Sequence, residues 1–193
     1  MSIPTTRITT AAGVVTSDCL SEEYSRRRIY ITEKIDDTMA AEICCQINHL
    51  AAINDDDITI WIMSPGGSVS AGSAILDTMK ACKCDIRTIV MGDAASMAAV
   101  IASSGTKGKR FIGSNAEMMI HQALGGFSGQ TADILRSAKH IEKVNKRLYE
   151  ILAKNANQGV EQIAIDCDRD CFLDAAEAIE YGLVDHIFTG FED

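Results

Sequence analysis

Proline is nearly missing from this chain: only Pro4 and Pro65 occur in 193 residues, and no Gly/Ser-rich linker divides it. So few breakers and no linker argue for one domain. No apolar run reaches the ~18 residues that a membrane-spanning helix needs. The N-terminal Met-Ser-Ile-Pro-Thr-Thr-Arg-Ile-Thr-Thr has no apolar core of signal-peptide length. No membrane partner is therefore expected, and the cytoplasm is the default location. Positive charge is also scarce, with 18 basic against 27 acidic residues and a net charge of −9, which opposes nucleic-acid binding. The one basic run, Arg26-Arg27-Arg28, reads as a solvated approach to a strand.

Ligand-binding signatures are missing too. The seven cysteines are an odd number, with no Cys-x-x-Cys pair and no histidine at zinc-finger spacing, so they read as small buried hydrophobes in a reducing compartment. No metal is expected. Neither Gly-x-x-x-x-Gly-Lys-Ser/Thr nor Gly-x-Gly-x-x-Gly occurs, which removes the common nucleotide-binding readings.

What is present is an alternation of strand and helix signals. Residues 1–25 are polar and without regular pattern, which predicts a mobile arm before a single domain over 26–193. Ile29-Tyr30-Ile31 reads as a strand. Asp36-Asp37-Thr38 opens a helix with Met39, Ile43, Ile47 and Leu50 at helical spacing. Asp55-Asp56-Asp57 reads as a turn. The strand over 58–63 runs into Ser64-Pro65-Gly66-Gly67, followed by a helix over about 70–81, a strand over 86–91 and a helix from Ser96. Met118-Met119-Ile120 predicts a short strand that delivers His121, and residues 131–156 predict a long amphipathic helix. This order predicts an α/β fold with a mainly parallel sheet.

Ser96 has little structural justification at the start of the apolar helix 97–102, where a hydroxyl adds nothing to a core. A serine becomes a nucleophile when a base takes its proton and donors receive the developing negative charge. Adjacent parallel strands would bring Pro65-Gly66-Gly67 and Ser96 to one sheet edge, with backbone N–H groups of the turn and of Met97 available to an oxyanion. Of four histidines, His49 and His140 lie in polar helical stretches and His186 sits beside Asp185, where solvated or capping roles fit better. His121, at the end of an apolar strand before a glycine-containing turn, suits a cleft. Asp168, Asp170 or Asp174 could orient it.

Several runs resemble the proteolytic subunits of the Clp protease (the ClpP family) over residues 26–190. They are Ser64-Pro65-Gly66-Gly67-Ser68-Val69, Met91-Gly92-Asp93-Ala94-Ala95-Ser96-Met97-Ala98, Met119-Ile120-His121-Gln122 with Leu124-Gly125-Gly126, Asp168-Arg169-Asp170, and Glu177 to Asp185. The resemblance implies Ser96 as nucleophile, His121 as general base and then acid, and Asp170 as orienting acid, with oxyanion donors at the N–H groups of Gly67 and Met97. It implies a crotonase-type α/β fold with a protruding strand–helix handle over about 124–156. It also implies heptameric rings stacked as a tetradecamer, with Asp168 and Arg169 contacting the opposite ring. An AAA+ unfoldase of the ClpX, ClpA or ClpC type would dock on a cleft containing Trp61, Ile89, Met91 and Phe188, and would feed in unfolded polypeptides. ATP would be the partner's ligand, and this chain would need no cofactor.

The sequence departs from that family's pattern at Met63, where asparagine is usual, and at Ala123, where proline is usual and a backbone N–H is now present. Thr59 and Ala81 stand where the docking cleft commonly has aromatics. Such departures suit a divergent member that assembles with a second ClpP-type chain. Two alternatives remain: a catalytically silent ring subunit, and a crotonase-type acyl-CoA enzyme.

Overall fold

The computed structural model describes residues 4–11 and 13–191. Its N-terminal region corrects the expectation of an irregular arm. β1 (Thr5–Thr10) and β2 (Gly13–Asp18) pair as an antiparallel hairpin, and α1 (Cys19–Ser25) follows. Asp18 caps α1 by accepting the Ser21 N–H at 2.8 Å, so a polar sequence still supplies its own helix start. Residues 1–3 and 12 of the expected arm, and 192–193 of the expected domain, lie outside the described residues. The basic run is also corrected. Arg27 donates to the carbonyls of Leu50, Asn54, Asp56 and Asp57, clamping the turn that the aspartates form. Arg28 pairs with Glu23 at 2.9 Å, and only Arg26 is mainly solvated.

From β3 (Arg28–Ile31) the chain alternates as expected. α2 (Asp37–Ile53) starts at the Asp36 cap and buries Ala40, Ile43, Ile47 and Leu50. It leads to β4 (Ile58–Ser64), α3 (Val69–Ala81) and β5 (Ile86–Ala95). β3, β4 and β5 are parallel neighbours: Ile29, Ile31, Ile58, Ile60, Ile62 and Ile86 are buried on one face of the sheet, and Tyr30, Trp61 and Ile89 line the other. β5 is four residues longer than its apolar run predicts. A register shift opposite Ile62 and Ser64 absorbs Met91 and Gly92 in a bulge, with Gly92 at φ 70°. The bulge hands β5 from one neighbour to another. Thr88–Val90 pairs with β6 (Arg110–Ile112), whereas Asp93–Ala95 pairs with β7 (Glu117–Ile120).

Between β5 and β6 runs α4 (Met97–Ser103), all seven of whose residues are buried, as suits a helix of mostly small apolar residues. α5 (Thr131–Ala156) has the predicted bounds. Its buried residues, Leu148, Leu152, Ala153 and Ala156, all lie in its C-terminal half, so the N-terminal half projects from the core. The expected strand of the handle is not formed: residues 121–130 have no strand partner within the described chain, and a strand exists only by pairing. α6 (Val160–Asp166), β8 (Cys171–Asp174), α7 (Ala175–Tyr181) and β9 (His186–Ile187) complete the fold. β8 runs antiparallel to β7, and β9 runs parallel to β6.

Candidate active site

Ser96 occupies the one-residue turn between β5 and α4, at φ 57° and ψ −121°. A non-glycine residue there is strained, by about 1–3 kcal/mol. The backbone around it is held: the Ser96 N–H donates to the Met119 carbonyl at 2.7 Å, and its carbonyl accepts from Val100 at 3.2 Å. The side chain makes no capping bond to its own helix, which leaves Oγ free to point elsewhere. It meets His121 Nε2 at 2.8 Å. On the other side of the ring, His121 Nδ1 lies 2.9 Å from Asp170 Oδ1. A carboxylate only accepts, so Nδ1 carries the proton and Nε2 is the acceptor for the Ser96 hydroxyl.

β7 delivers His121 and the loop before β8 delivers Asp170; their antiparallel pairing, with Ile120 opposite Cys171, brings base and acid together. Gln122 adds two bonds across the same seam, from its N–H to the Cys167 carbonyl at 2.8 Å and from Nε2 to the Asp168 carbonyl at 3.0 Å. Burial pushes the Cys167 thiol up to about 12, so beneath this loop it is a neutral apolar group. The imidazole is 13% exposed and the carboxylate 57% exposed, so the base is sheltered while its acid faces solvent.

The Pro65-Gly66-Gly67 turn packs against the back of Ser96. A Cβ on Gly66 (φ 83°) would lie 2.5 Å from the Ala95 carbonyl oxygen and 2.9 Å from Ser96 Cβ, so only glycine allows this approach. Gly67 forms a parallel bridge with Ile35, whose N–H binds the Gly66 carbonyl and whose carbonyl accepts the Ser68 N–H, each at 2.8 Å. In that pattern the bridging residue's own N–H faces away from the bridge. Met97 N–H is the first of α4 and has no intrahelical acceptor. Both expected oxyanion donors are thus uncommitted to the fold's regular hydrogen bonding.

Of the three candidate acids, Asp174 instead forms the capping box of α7 with Glu177. Asp168 and Arg169 are exposed and paired with each other at 3.1 Å. They line a cavity of about 420 Å³ with His121, Gln122, Leu124 and Asp170. His49 stacks on Tyr24 and His186 lies against Phe111. Among the described residues, no group of three or more His, Cys, Asp or Glu side chains could hold a metal ion.

The expected docking residues are only partly together at the surface. Tyr30, Trp61, Ile89 and Phe111 form one cross-strand row on a single face of the sheet. Trp61 and Phe188 meet edge to face at 5.2 Å. Ile89 is fully buried beneath the aromatic rings and so offers no surface, which corrects its expected place in a cleft. Met91 stands apart on the bulge, 38% exposed. Sequence reasoning missed Phe111 and Phe191, which line a cavity of about 330 Å³ there with Arg87, Phe188, Thr189 and Gly190. Phe111 could have been found from its place in the cross-strand row of Trp61 and Ile89, whereas Phe191 lies outside every strand and carried no such signal.

Comparison with known proteins points to one family. Residues 11–190 match the Clp protease family, a span that begins fifteen residues before the resemblance read from the motifs. The chain is 46% identical over 190 residues to an ATP-dependent Clp protease proteolytic subunit of Streptococcus thermophilus, covering 97% of each protein. It is 46% identical over 193 residues to the subunit of the same name from Streptococcus pyogenes, covering 98% of each. By motif, fold and similarity over nearly its whole length, the chain belongs to the Clp protease family.

Proposed function

We propose that this protein is a serine endopeptidase that hydrolyses unfolded polypeptides through Ser96, His121 and Asp170. The observation that carries the reading is the imidazole of His121, within hydrogen-bond reach of both the Ser96 hydroxyl and the Asp170 carboxylate. His121 Nε2 takes the Ser96 proton as Oγ attacks the scissile carbonyl, and Asp170 stabilises the resulting imidazolium without being protonated. The N–H groups of Gly67 and Met97 receive the oxyanion. His121 then gives its proton to the leaving amine, and water, activated by the same imidazole, releases the acyl group from Ser96. Every proton and charge in this cycle has a group in the chain to receive it, so the reaction calls for no metal or cofactor.

The family supports three further proposals. The chain assembles into heptameric rings stacked in pairs. Asp168 and Arg169, exposed beside the triad, face the opposite ring. An AAA+ ATPase docks on the Trp61–Phe188 aromatic cluster and delivers unfolded chains in the cytoplasm. The silent-subunit reading has nothing to recommend it in a chain whose three groups are present and aligned. An acyl-CoA reading would have no use for them.

The test is hydrolysis of a fluorogenic peptide and of unfolded casein by the assembled protein. Wild type should cleave both, and Ser96→Ala should lose about 10⁴-fold or more of kcat. Equal activity in the two proteins would overturn the assignment.

A further inference from the structure

Beyond the triad, the geometry points to Asn145 of α5 as a positioning residue that ties the projecting helix to the loop carrying the general base; the inference rests on the peptidase reading above. The Ala123 backbone N–H, two residues beyond His121, donates to Asn145 Oδ1 at 2.7 Å. The hydrogen bonds to the two preceding residues come from outside α5: Asp170 and Ser96 to His121, Cys167 and Asp168 to Gln122. Among the described residues, Asn145 is the α5 side chain that hydrogen-bonds this loop.

Two features make the contact more than incidental. Asn145 interrupts an otherwise apolar stripe at helical spacing, Ile141, Val144, Leu148 and Leu152, of which Leu148 and Leu152 are buried. A polar amide in such a stripe costs stability unless it is paired. In addition, Ile141, one turn before Asn145 on the same face, packs so closely on Gly125 that a Cβ there would collide with its Cδ1. The segment after His121 therefore lies along this face of α5 and is fixed by one polar bond and one close packing contact. Alanine at 123 is what makes the polar bond possible, because proline has no N–H to offer. A shift of α5 is transmitted through Asn145 to the turn that aims the imidazole.

The test is a double-mutant cycle on the assembled protein, read as kcat and KM for a fluorogenic peptide, with assembly followed by sedimentation. Asn145→Leu removes the acceptor at similar volume and should lower kcat about tenfold with KM little changed, as a small misplacement of a catalytic group does. Asn145→Asp keeps the acceptor oxygen and should retain most of kcat. In an Ala123→Pro background, which has no N–H to lose, Asn145→Leu should cause no further fall. Amide exchange at Ala123, slow in the wild type, should accelerate in Asn145→Leu. Wild-type kcat in Asn145→Leu, the same fall in both backgrounds, a fall explained entirely by lost assembly, or unchanged exchange at Ala123 would each overturn the inference. Undiminished hydrolysis by Ser96→Ala would be a different failure, that of the triad reading itself.

Discussion

At the scale of single residues, function and stability pull against each other at Ser96. Its left-handed backbone is what lifts Oγ from the helix axis toward His121, and the fold accepts the strain because Met119 and Val100 hold both sides of the peptide. Glycine relieves that strain and alanine does not. Ser96→Gly and Ser96→Ala should therefore both be inactive, yet the glycine variant should be the more stable by ~1 kcal/mol in denaturant titration. An alanine variant equal or superior in stability would show that the turn is not strained. The nucleophile and its base were legible in the sequence because each is a reactive side chain at the border of an apolar run, Ser96 just before 97–102 and His121 just after 118–120. The acid was not, since Asp168, Asp170 and Asp174 share the same local chemistry. The family resemblance singled out Asp170, and in the structure the β7–β8 register and the capping demand of α7 separate the three. Asn145 was invisible because a lone amide in a helix has meaning only once its partner is known.

At the scale of elements, the alternating pattern was readable where strands are buried and isoleucine-rich, as in β3, β4 and the first half of β5. The far half of β5 was hidden by Gly92-Asp93, which looks like a stop, although Gly92 sits in the bulge and Asp93 already pairs with β7. The N-terminal hairpin was hidden because two exposed strands need no apolar alternation. The short edge strands β6 and β9 depend on a contact that no local pattern shows. Arg110, 1% exposed, donates through Nε and Nη2 to Asp185 and through Nη1 to the Ser103 and Asn155 carbonyls, joining β6 to α4, α5 and the approach to β9. The guanidinium and the Gly108 N–H hold the Asp185 carboxyl far below the usual carboxylate range, although its burial pushes the other way. Asp185→Asn leaves a buried cation unpaired and should cost ~3 kcal/mol in thermal or chemical unfolding. The sign of the pH dependence follows from the depressed value. The stabilisation is complete above the unfolded carboxyl value of about 4 and is lost as pH falls below it. The wild type should thus lose more stability between pH 5 and 2 than Asp185→Asn does, and parallel profiles would contradict this role.

At the scale of the whole molecule, an N-terminal half of α5 with no buried residue, and exposed Leu124, Phe127, Ile134 and Leu135 around it, describe a chain built to be covered by another. The unpaired segment 121–130 lies in the same region and leads directly from His121. The peptidase reading proposed above thus rests on a triad set by the β7–β8 seam within one chain, beside an exposed apolar region that a second copy would cover. The central claim, that Ser96 is the nucleophile activated by His121, is tested most directly by treating the assembled protein with a fluorophosphonate probe and locating the adduct by peptide mass spectrometry. The account predicts one adduct per chain, on Ser96, kept in Ser104→Ala and lost in Ser96→Ala and His121→Ala. An adduct on another residue, or labelling of Ser96 undiminished in His121→Ala, would contradict it.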